Sequence, residues 1–198
     1  MDEMLIKNIK EDICIKLEAD NGSDGRKLLN LAVKYYYPLS DDCRDYMELS
    51  TAILNTFGIE DTDEFMERAL ANTKRLLPVV VADVKNDHGL YRMLQMSQTL
   101  SDKAMMSVVT DVSYFYGAYV LLDKPTLKVL SDKLGKSLYL MPVSKHMLFA
   151  CSCECADANA MLSYLVYSNS RIDACDVLTN TIYRYDSETD EVSIAVSK

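Results

Sequence analysis

The stretch Lys136–Cys153 constrains the fold more than any other part of the chain. It contains two nearly all-apolar runs, separated by Pro142 and the polar pair Ser144-Lys145. Three leucines at helical spacing precede it, and Gly135 ends that helix. A helix that leads directly into apolar strands predicts a buried sheet with helices packed on it.

Short strands and helices alternate through the rest of the second half of the chain. The run P-V-V-V-A-D-V at 78–84 and the segment Met105–Asp111 are rich in β-branched residues, which predicts strands. Between them we expect a turn at N-D-H-G, residues 86–89, and a helix over Tyr91–Leu100. Thr181–Asp186 and Glu191–Val196 alternate in polarity around S-E-T-D, which is typical of a β-hairpin.

Residues 1–77 have the pattern of a mainly helical section. Four apolar residues from Ile6 to Leu17 recur at helical spacing, although I-C-I-K-L at 13–17 also alternates as a strand does. Lys27–Tyr37 is predicted to form a short helix closed by Pro38. Two more helices are expected, over residues 46–57 and from a capping box at 61–64 onward.

These elements predict an α+β fold, in which a helical N-terminal section is followed by a mixed, mainly antiparallel sheet with helices packed on it. The sections are residues 1–77 and 78–198, and we expect them to form one compact unit. Leu138–Met141 and Met147–Cys151 are joined too closely for a crossover, so they should pair antiparallel.

Charge and composition exclude several classes of protein. The chain has 30 acidic and 21 basic residues and a formal charge of −9, which argues against nucleic-acid binding. The N-terminus lacks the pattern of a signal peptide, and no apolar run is long enough to span a membrane. We therefore expect a cytoplasmic protein whose six cysteines are reduced.

Ser144 and His146 are the candidate catalytic residues, because a serine and a histidine together can form a nucleophile and its base. The chain has no G-x-S-x-G elbow and neither of the glycine-rich phosphate-binding fingerprints, so we expect no cofactor. The default interpretation is a turn serine and a partly exposed histidine.

Cys151, Cys153 and Cys155 are the candidate metal ligands, since thiolates bind zinc. On a strand all three would lie on one face, about 6.6 Å apart. The C-x-C-x-C spacing does not match the usual zinc knuckles, so plain thiols are the default interpretation and no metal is expected.

Tyr35, Tyr36 and Tyr37 form the candidate interaction site. Aromatic side chains can stack on bases, but no basic groove accompanies these three. We interpret them as part core and part protein interface.

Five segments carry a family resemblance, and they are A-N-T-K-R-L-L-P at 71–78, M-S-V-V-T at 106–110, F-Y-G-A-Y-V-L-L at 115–122, the run 127–146 and V-L-T-N-T-I-Y-R-Y-D at 177–186. By these segments, the part of the chain from 71 to 196 resembles an uncharacterised family of intracellular proteins common in gut clostridia, a domain of unknown function. The family's P-S-S-x-H-E appears as P-V-S-K-H-M, so Val143 and Met147 depart from the pattern and the acidic neighbour of the histidine is missing. The family's N-terminal portion looks shortened or replaced before residue 60. The resemblance implies no catalytic residue, substrate or cofactor.

Three functional hypotheses follow. The first is a non-enzymatic binding or regulatory protein that acts through contacts with a protein partner. The second is a hydrolase-like enzyme at Ser144 and His146, which requires a carboxylate within reach of the imidazole. The third is an acidic inhibitor of a nucleic-acid enzyme, encoded by a mobile element.

Overall fold

Two antiparallel sheets and five α-helices make up the described part of the computed structural model, which comprises residues 3–22, 25–40, 43–83 and 106–198. The helices are α1 (Glu3–Asp12), α2 (Thr51–Thr56), α3 (Asp63–Leu76), α4 (Lys124–Leu134) and α5 (Ala158–Asn169), with a 3₁₀ helix at Gly117–Leu122. The strands are β1 (Cys14–Ala19), β2 (Lys27–Leu28), β3 (Leu31–Pro38), β4 (Tyr46–Leu49), β5 (Val79–Asp83), β6 (Met106–Asp111), β7 (Ser137–Ser144), β8 (Met147–Ser152), β9 (Thr181–Asp186) and β10 (Glu191–Ser197).

The first sheet is organised around β3, which pairs with β1, β2 and β4. Side chains of α3 close the outer edge of β1. Thr73 accepts the N–H of Ile15 at 2.9 Å, and Asn72 donates to the carbonyl oxygen of Ile13 at 2.9 Å. The helix therefore satisfies backbone groups that an edge strand would otherwise leave open to pairing.

The second sheet has six strands in the order β10-β9-β7-β8-β6-β5. Both faces of β7 and β8 are buried, which explains why both are apolar except for serines at their ends. One face packs in the core shared with the first sheet, and its members are Leu138, Leu140, Leu148 and Ala150. The other face packs under α5, and its members include Met141, Phe149 and Cys151.

Asn30 joins the two sheets. It lies in the turn between β2 and β3, where Leu29 has a positive φ of 55°. Its amide nitrogen donates to the Thr181 hydroxyl at 2.9 Å, and its amide oxygen accepts from the Tyr183 hydroxyl at 2.6 Å. A short turn of the first sheet is thereby held against β9 of the second.

The structure confirms the α+β class but not the helical N-terminal section, which is wrong. Residues 14–49 form the four strands of the first sheet. The four apolar residues at helical spacing from Ile6 to Leu17 do not lie in one helix. The first of them belong to α1 and the last belongs to β1. The predicted helix at Lys27–Tyr37 is mostly β3, whose residues are held by pairing with β1 and β4 rather than by local propensity.

Elements in the second half agree more closely with their predicted bounds. The antiparallel pair β7–β8 and the hairpin β9–β10 occur where the apolar patterns indicated. The predicted turn at 86–89, the helix over Tyr91–Leu100 and the first residue of the Met105–Asp111 strand lie outside the described residues. Within the described ranges, no helix combines the length and apolarity needed to cross a bilayer.

Candidate functional site

The P-V-S-K-H segment comprises the last three residues of β7 and the two-residue turn to β8, with Lys145 and His146 at the tip. The hydroxyl oxygen of Ser144 accepts the backbone N–H of His146 at 3.1 Å. That bond shapes the turn and gives the serine a local structural role. Among the described residues, no hydrogen bond joins the Ser144 hydroxyl to the imidazole.

Both ring nitrogens of His146 face hydrogen-bond acceptors. Nδ1 meets the carbonyl oxygen of Phe115, and Nε2 lies 3.2 Å from Oδ1 of Asp176. A carbonyl and a carboxylate only accept, so both bonds form together only when the ring carries both protons. The ring also stacks on Phe115, with centroids 5.4 Å apart, and its side chain is 22% exposed.

Asp176 is the acidic partner of the histidine, and it lies thirty positions away in the chain. Lys145 reaches the same oxygen at 3.1 Å. Burial opposes ionisation of this carboxyl, but the hydrogen bonds from Lys145 and His146 outweigh it and hold the pKa of Asp176 below its usual range. The three side chains form a charged cluster that fixes the tip of the turn.

The backbone of the turn is bound to the start of the 3₁₀ helix. Gly117 donates to the His146 carbonyl oxygen at 3.1 Å, Ala118 donates to that of Lys145 at 3.2 Å, and the Thr110 hydroxyl also donates to His146 at 2.9 Å. A Cβ at Gly117 would lie 2.6 Å from the His146 oxygen and 2.5 Å from Cα of Thr110. Only glycine allows this approach, so the turn is a tightly packed junction.

The arrangement gives little support to nucleophilic catalysis at Ser144 and His146. A general base needs a ring nitrogen that can take a proton from the nucleophile. Here both ring nitrogens of His146 contact acceptors other than Ser144. The Ser144 hydroxyl oxygen accepts the backbone N–H of His146 instead.

Two of the three candidate interaction tyrosines lie in the core. Tyr35 is 4% exposed and Tyr36 is fully buried, while Tyr37 is half-buried. Tyr35 donates to Oδ1 of Asp61 at 2.5 Å and packs on Phe65. Successive residues of a strand point to opposite faces of the sheet, and both of these side chains are buried, so Tyr35 and Tyr36 are not available as an exposed platform.

The three candidate metal-binding cysteines do not share one face. Strand β8 ends at Ser152, so Cys153 and Cys155 lie in the following turn. Cys151 is buried against the Met161 sulfur at 3.6 Å, whereas Cys155 is exposed. Burial raises the pKa of the Cys151 thiol to about 12. Within the described part of the chain, no group of three or more His, Cys, Asp or Glu side chains is placed to hold a metal ion.

A buried lysine lies in an aromatic cluster that sequence patterns did not reveal. The side chain of Lys16 is 2% exposed, and its ammonium lies 2.8 Å from Glu18 and 3.2 Å from the Tyr46 hydroxyl. It also lies over the rings of Tyr46 and Tyr116, at 4.4 and 5.5 Å from their centroids. The hydrogen bond from Tyr116 lowers the pKa of Tyr46, and Lys16 adds to that effect against the opposing burial.

The loop that follows β6 presents two exposed apolar side chains on a fixed backbone. Val112 is 51% exposed and Tyr114 is 60% exposed. The fully buried carboxylate of Asp111 accepts the N–H groups of Ser113 at 2.7 Å and Tyr116 at 2.7 Å, and also that of Phe115. We call residues 112–116 the Asp111 loop. Tyr114 has a positive φ of 57°.

The model of one protein family, DUF5688, described as a family of unknown function, matches residues 24–187. The match therefore includes β2, β3 and β4, which the resemblance from residue 71 onward had left out. No curated protein and no solved structure matches the chain. The family description assigns no role to any residue, so a function can be inferred only from the side-chain geometry of the chain.

Proposed function

We propose that this chain, which belongs to the DUF5688 family of unknown function, is a non-enzymatic binding protein that acts through protein–protein contacts. The Asp111 loop is its anchor. The observation that supports the proposal is the exposed Tyr114 side chain on a loop held by the buried Asp111 carboxylate.

Preorganisation makes this loop suited to binding. Ordering a flexible loop on association costs free energy, and a loop already fixed by hydrogen bonds avoids most of that cost. Tyrosine is enriched among the residues that dominate interface energies, since it offers a large apolar area with few rotatable bonds.

The backbone of Tyr114 also favours a functional role. A positive φ is uncommon for residues other than glycine, and its cost persists only where the surroundings impose it. The Asp111 carboxylate accepts the N–H groups of Ser113 and Phe115 on either side of Tyr114, and the Tyr114 N–H donates to the Asp111 carbonyl oxygen at 3.0 Å. Tyr114 itself is 60% exposed.

A hydrolase at Ser144 and His146 has less support from the geometry. A carboxylate does lie within reach of the imidazole, as that hypothesis requires. However, both ring nitrogens and the serine oxygen are already engaged, so proton transfer from a nucleophile would first require the turn to rearrange.

Site-specific photo-crosslinking tests the proposal. A benzophenone amino acid replaces Tyr114 in one variant and Tyr167, which is 55% exposed on α5, in the control. In cells of the source organism, we expect the position 114 probe to give a discrete crosslinked protein that the position 167 probe does not give.

Affinity for that crosslinked protein then decides the role of the ring. Tyr114→Ala should weaken binding by about 2 kcal/mol, roughly 30-fold, as for an interface hot spot. Tyr167→Ala should leave binding unchanged. Equal crosslinking at both positions, or equal affinity of both alanine variants, would overturn the proposal.

A further inference from the structure

Two buried thiols contact each other beside the first sheet. Cys14 is the first residue of β1 and Cys43 lies in the loop between β3 and β4, and both have 0% exposure. The two side chains are in hydrogen-bonding contact, although they are far apart in the chain. Both are free thiols in this structure.

The loop that carries Cys43 buries this residue and not its leucine. Among the described residues of the loop, Leu39 is 65% exposed and Arg44 is also exposed. Cys43 has a positive φ of 55°, and its N–H donates to the Ser40 carbonyl oxygen at 3.0 Å. A positive φ is uncommon outside glycine, and its cost persists only where the surroundings hold it. The fold therefore maintains an uncommon backbone conformation that places a thiol against Cys14.

The neighbours of the pair favour reaction between the two thiols over other cysteine chemistry. The Cys14 sulfur lies 3.6 Å from the Asp12 carbonyl oxygen, and Tyr36 and Thr73 contact it as well. Contact with the Cys43 side chain, followed by burial, raises the pKa of the Cys14 thiol above its usual range, so it is a poor nucleophile towards other molecules. Within the described ranges, no three His, Cys, Asp or Glu side chains are grouped to hold a metal ion.

We propose that Cys14 and Cys43 are a redox pair, which a low-molecular-weight disulfide oxidises to an internal disulfide that clamps the β3–β4 loop to β1. One cysteine thiolate attacks a sulfur of the reagent, and the first reagent thiolate leaves. The second cysteine thiolate then attacks the cysteine sulfur of this mixed disulfide, and the second reagent thiolate leaves. Two electrons pass to the reagent, and its two released thiolates take up the two protons that the cysteines lose.

The fold favours the closed disulfide at equilibrium. Thiols already in contact need only a short approach to reach the S–S bond length of roughly 2 Å. The crosslink lowers the entropy of the unfolded chain, so it stabilises the folded sheet, and folding in turn stabilises the bond against reduction. Exchange takes place during folding or local unfolding, because the closed sheet holds Cys14 as a neutral thiol. The pair does not depend on the Asp111 loop.

Disulfide mapping of the purified full chain tests this inference. The chain is unfolded in urea and refolded in buffers with increasing ratios of glutathione disulfide to glutathione, so that burial does not limit access. Free thiols are then alkylated, and the peptides are analysed by mass spectrometry without reduction. We expect the Cys14–Cys43 peptide pair to be the first internal disulfide to appear as the ratio rises. The exposed Cys155 and Cys175 should carry glutathione instead.

Thermal unfolding shows whether the bond clamps the fold. We expect the oxidised chain to unfold at a midpoint about 10 °C above that of the reduced chain. This difference should disappear in Cys14→Ala and in Cys43→Ala, and each variant is compared with its own reduced form so that the effect of the cavity cancels. Cys155→Ala is the control, because it removes an exposed thiol, and it should keep the difference.

Each other outcome overturns the inference. If Cys14 and Cys43 are still alkylated at the highest ratio, the two thiols are not a redox pair. If an internal disulfide among Cys151, Cys153 and Cys155 forms first, the redox chemistry belongs to that turn. Equal midpoints of the oxidised and reduced chains show that the bond does not clamp the sheet. A difference that survives in both alanine variants arises from another pair.

Discussion

The imidazole of His146 lies 3.2 Å from the carboxylate of Asp176, although thirty positions separate them in the chain. Lys145 binds the same carboxylate from the other side of the turn tip, at 3.1 Å. The turn between β7 and β8 is thereby tied to the segment that precedes β9. This charged cluster stabilises a junction of the fold, and its contribution should depend on pH.

Replacing Asp176 should reduce stability in a pH-dependent way. Its carboxyl pKa is lowered in the folded state, so its contribution is complete above the unfolded pKa of about 4 and is lost as the pH falls through the folded value. We expect Asp176→Asn to lower the free energy of unfolding at neutral pH by about 1 to 2 kcal/mol. Urea unfolding at a series of pH values should show the difference from wild type shrinking below about pH 4.

The matched control is Asp173→Asn, because Asp173 is exposed and lies just before the same segment. It should change stability by no more than about 0.5 kcal/mol. Equal effects of the two substitutions would show that the His146–Asp176–Lys145 cluster does not stabilise the turn.

A methyl group at Gly117 should disrupt the same junction. The added Cβ would meet the backbone of Thr110 and His146 at distances that no side-chain rotation relieves. We expect Gly117→Ala to cost about 3 kcal/mol in chemical denaturation. Gly58→Ala is the comparison, because Gly58 has open space but a φ of +62°, which limits its cost to about 1 kcal/mol. A smaller loss for Gly117→Ala than for Gly58→Ala would contradict the close approach.

Thr73→Val tests how α3 protects the edge of β1. Valine has nearly the shape of threonine but leaves the buried N–H of Ile15 without its 2.9 Å acceptor. We expect a loss of about 1 to 3 kcal/mol and faster hydrogen exchange at Ile15. The control is Thr56→Val, whose hydroxyl bonds to Ala52 on an exposed helix face. Unchanged exchange at Ile15 would mean that α3 does not satisfy this strand edge.

Tyr46 should ionise at a lower pH than the other tyrosines of the aromatic cluster. The hydrogen bond from Tyr116 and the ammonium of Lys16 stabilise its phenolate, whereas burial raises the pKa of Tyr36 and Tyr116. We expect the first phase of a spectrophotometric tyrosine titration to disappear in Tyr46→Phe. In Lys16→Met that phase should move to higher pH, because the favourable positive charge is gone. A first phase that persists unchanged in Tyr46→Phe would refute the assignment.

Local patterns were sufficient where an element's own residues carry the signal. The apolar runs Leu138–Met141 and Met147–Cys151 and the alternating polarity of the final hairpin predicted strands that the structure contains. The same method failed before residue 50, because β3 is held by pairing with β1 and β4 rather than by its own propensity. The helical spacing of apolar residues from Ile6 to Leu17 continued by chance across the boundary between α1 and β1.

The sequence by itself determined the α+β class and the two buried apolar strands. It also determined that the P-V-S-K-H segment contains the turn between those strands. Only the tertiary structure decided what the turn's side chains do. Asp176 reaches His146, Asp61 reaches Tyr35 and Lys16 reaches Tyr46 across separations of 30, 26 and 30 positions. Such contacts leave no periodic pattern in a single sequence, since they depend on how distant segments pack together.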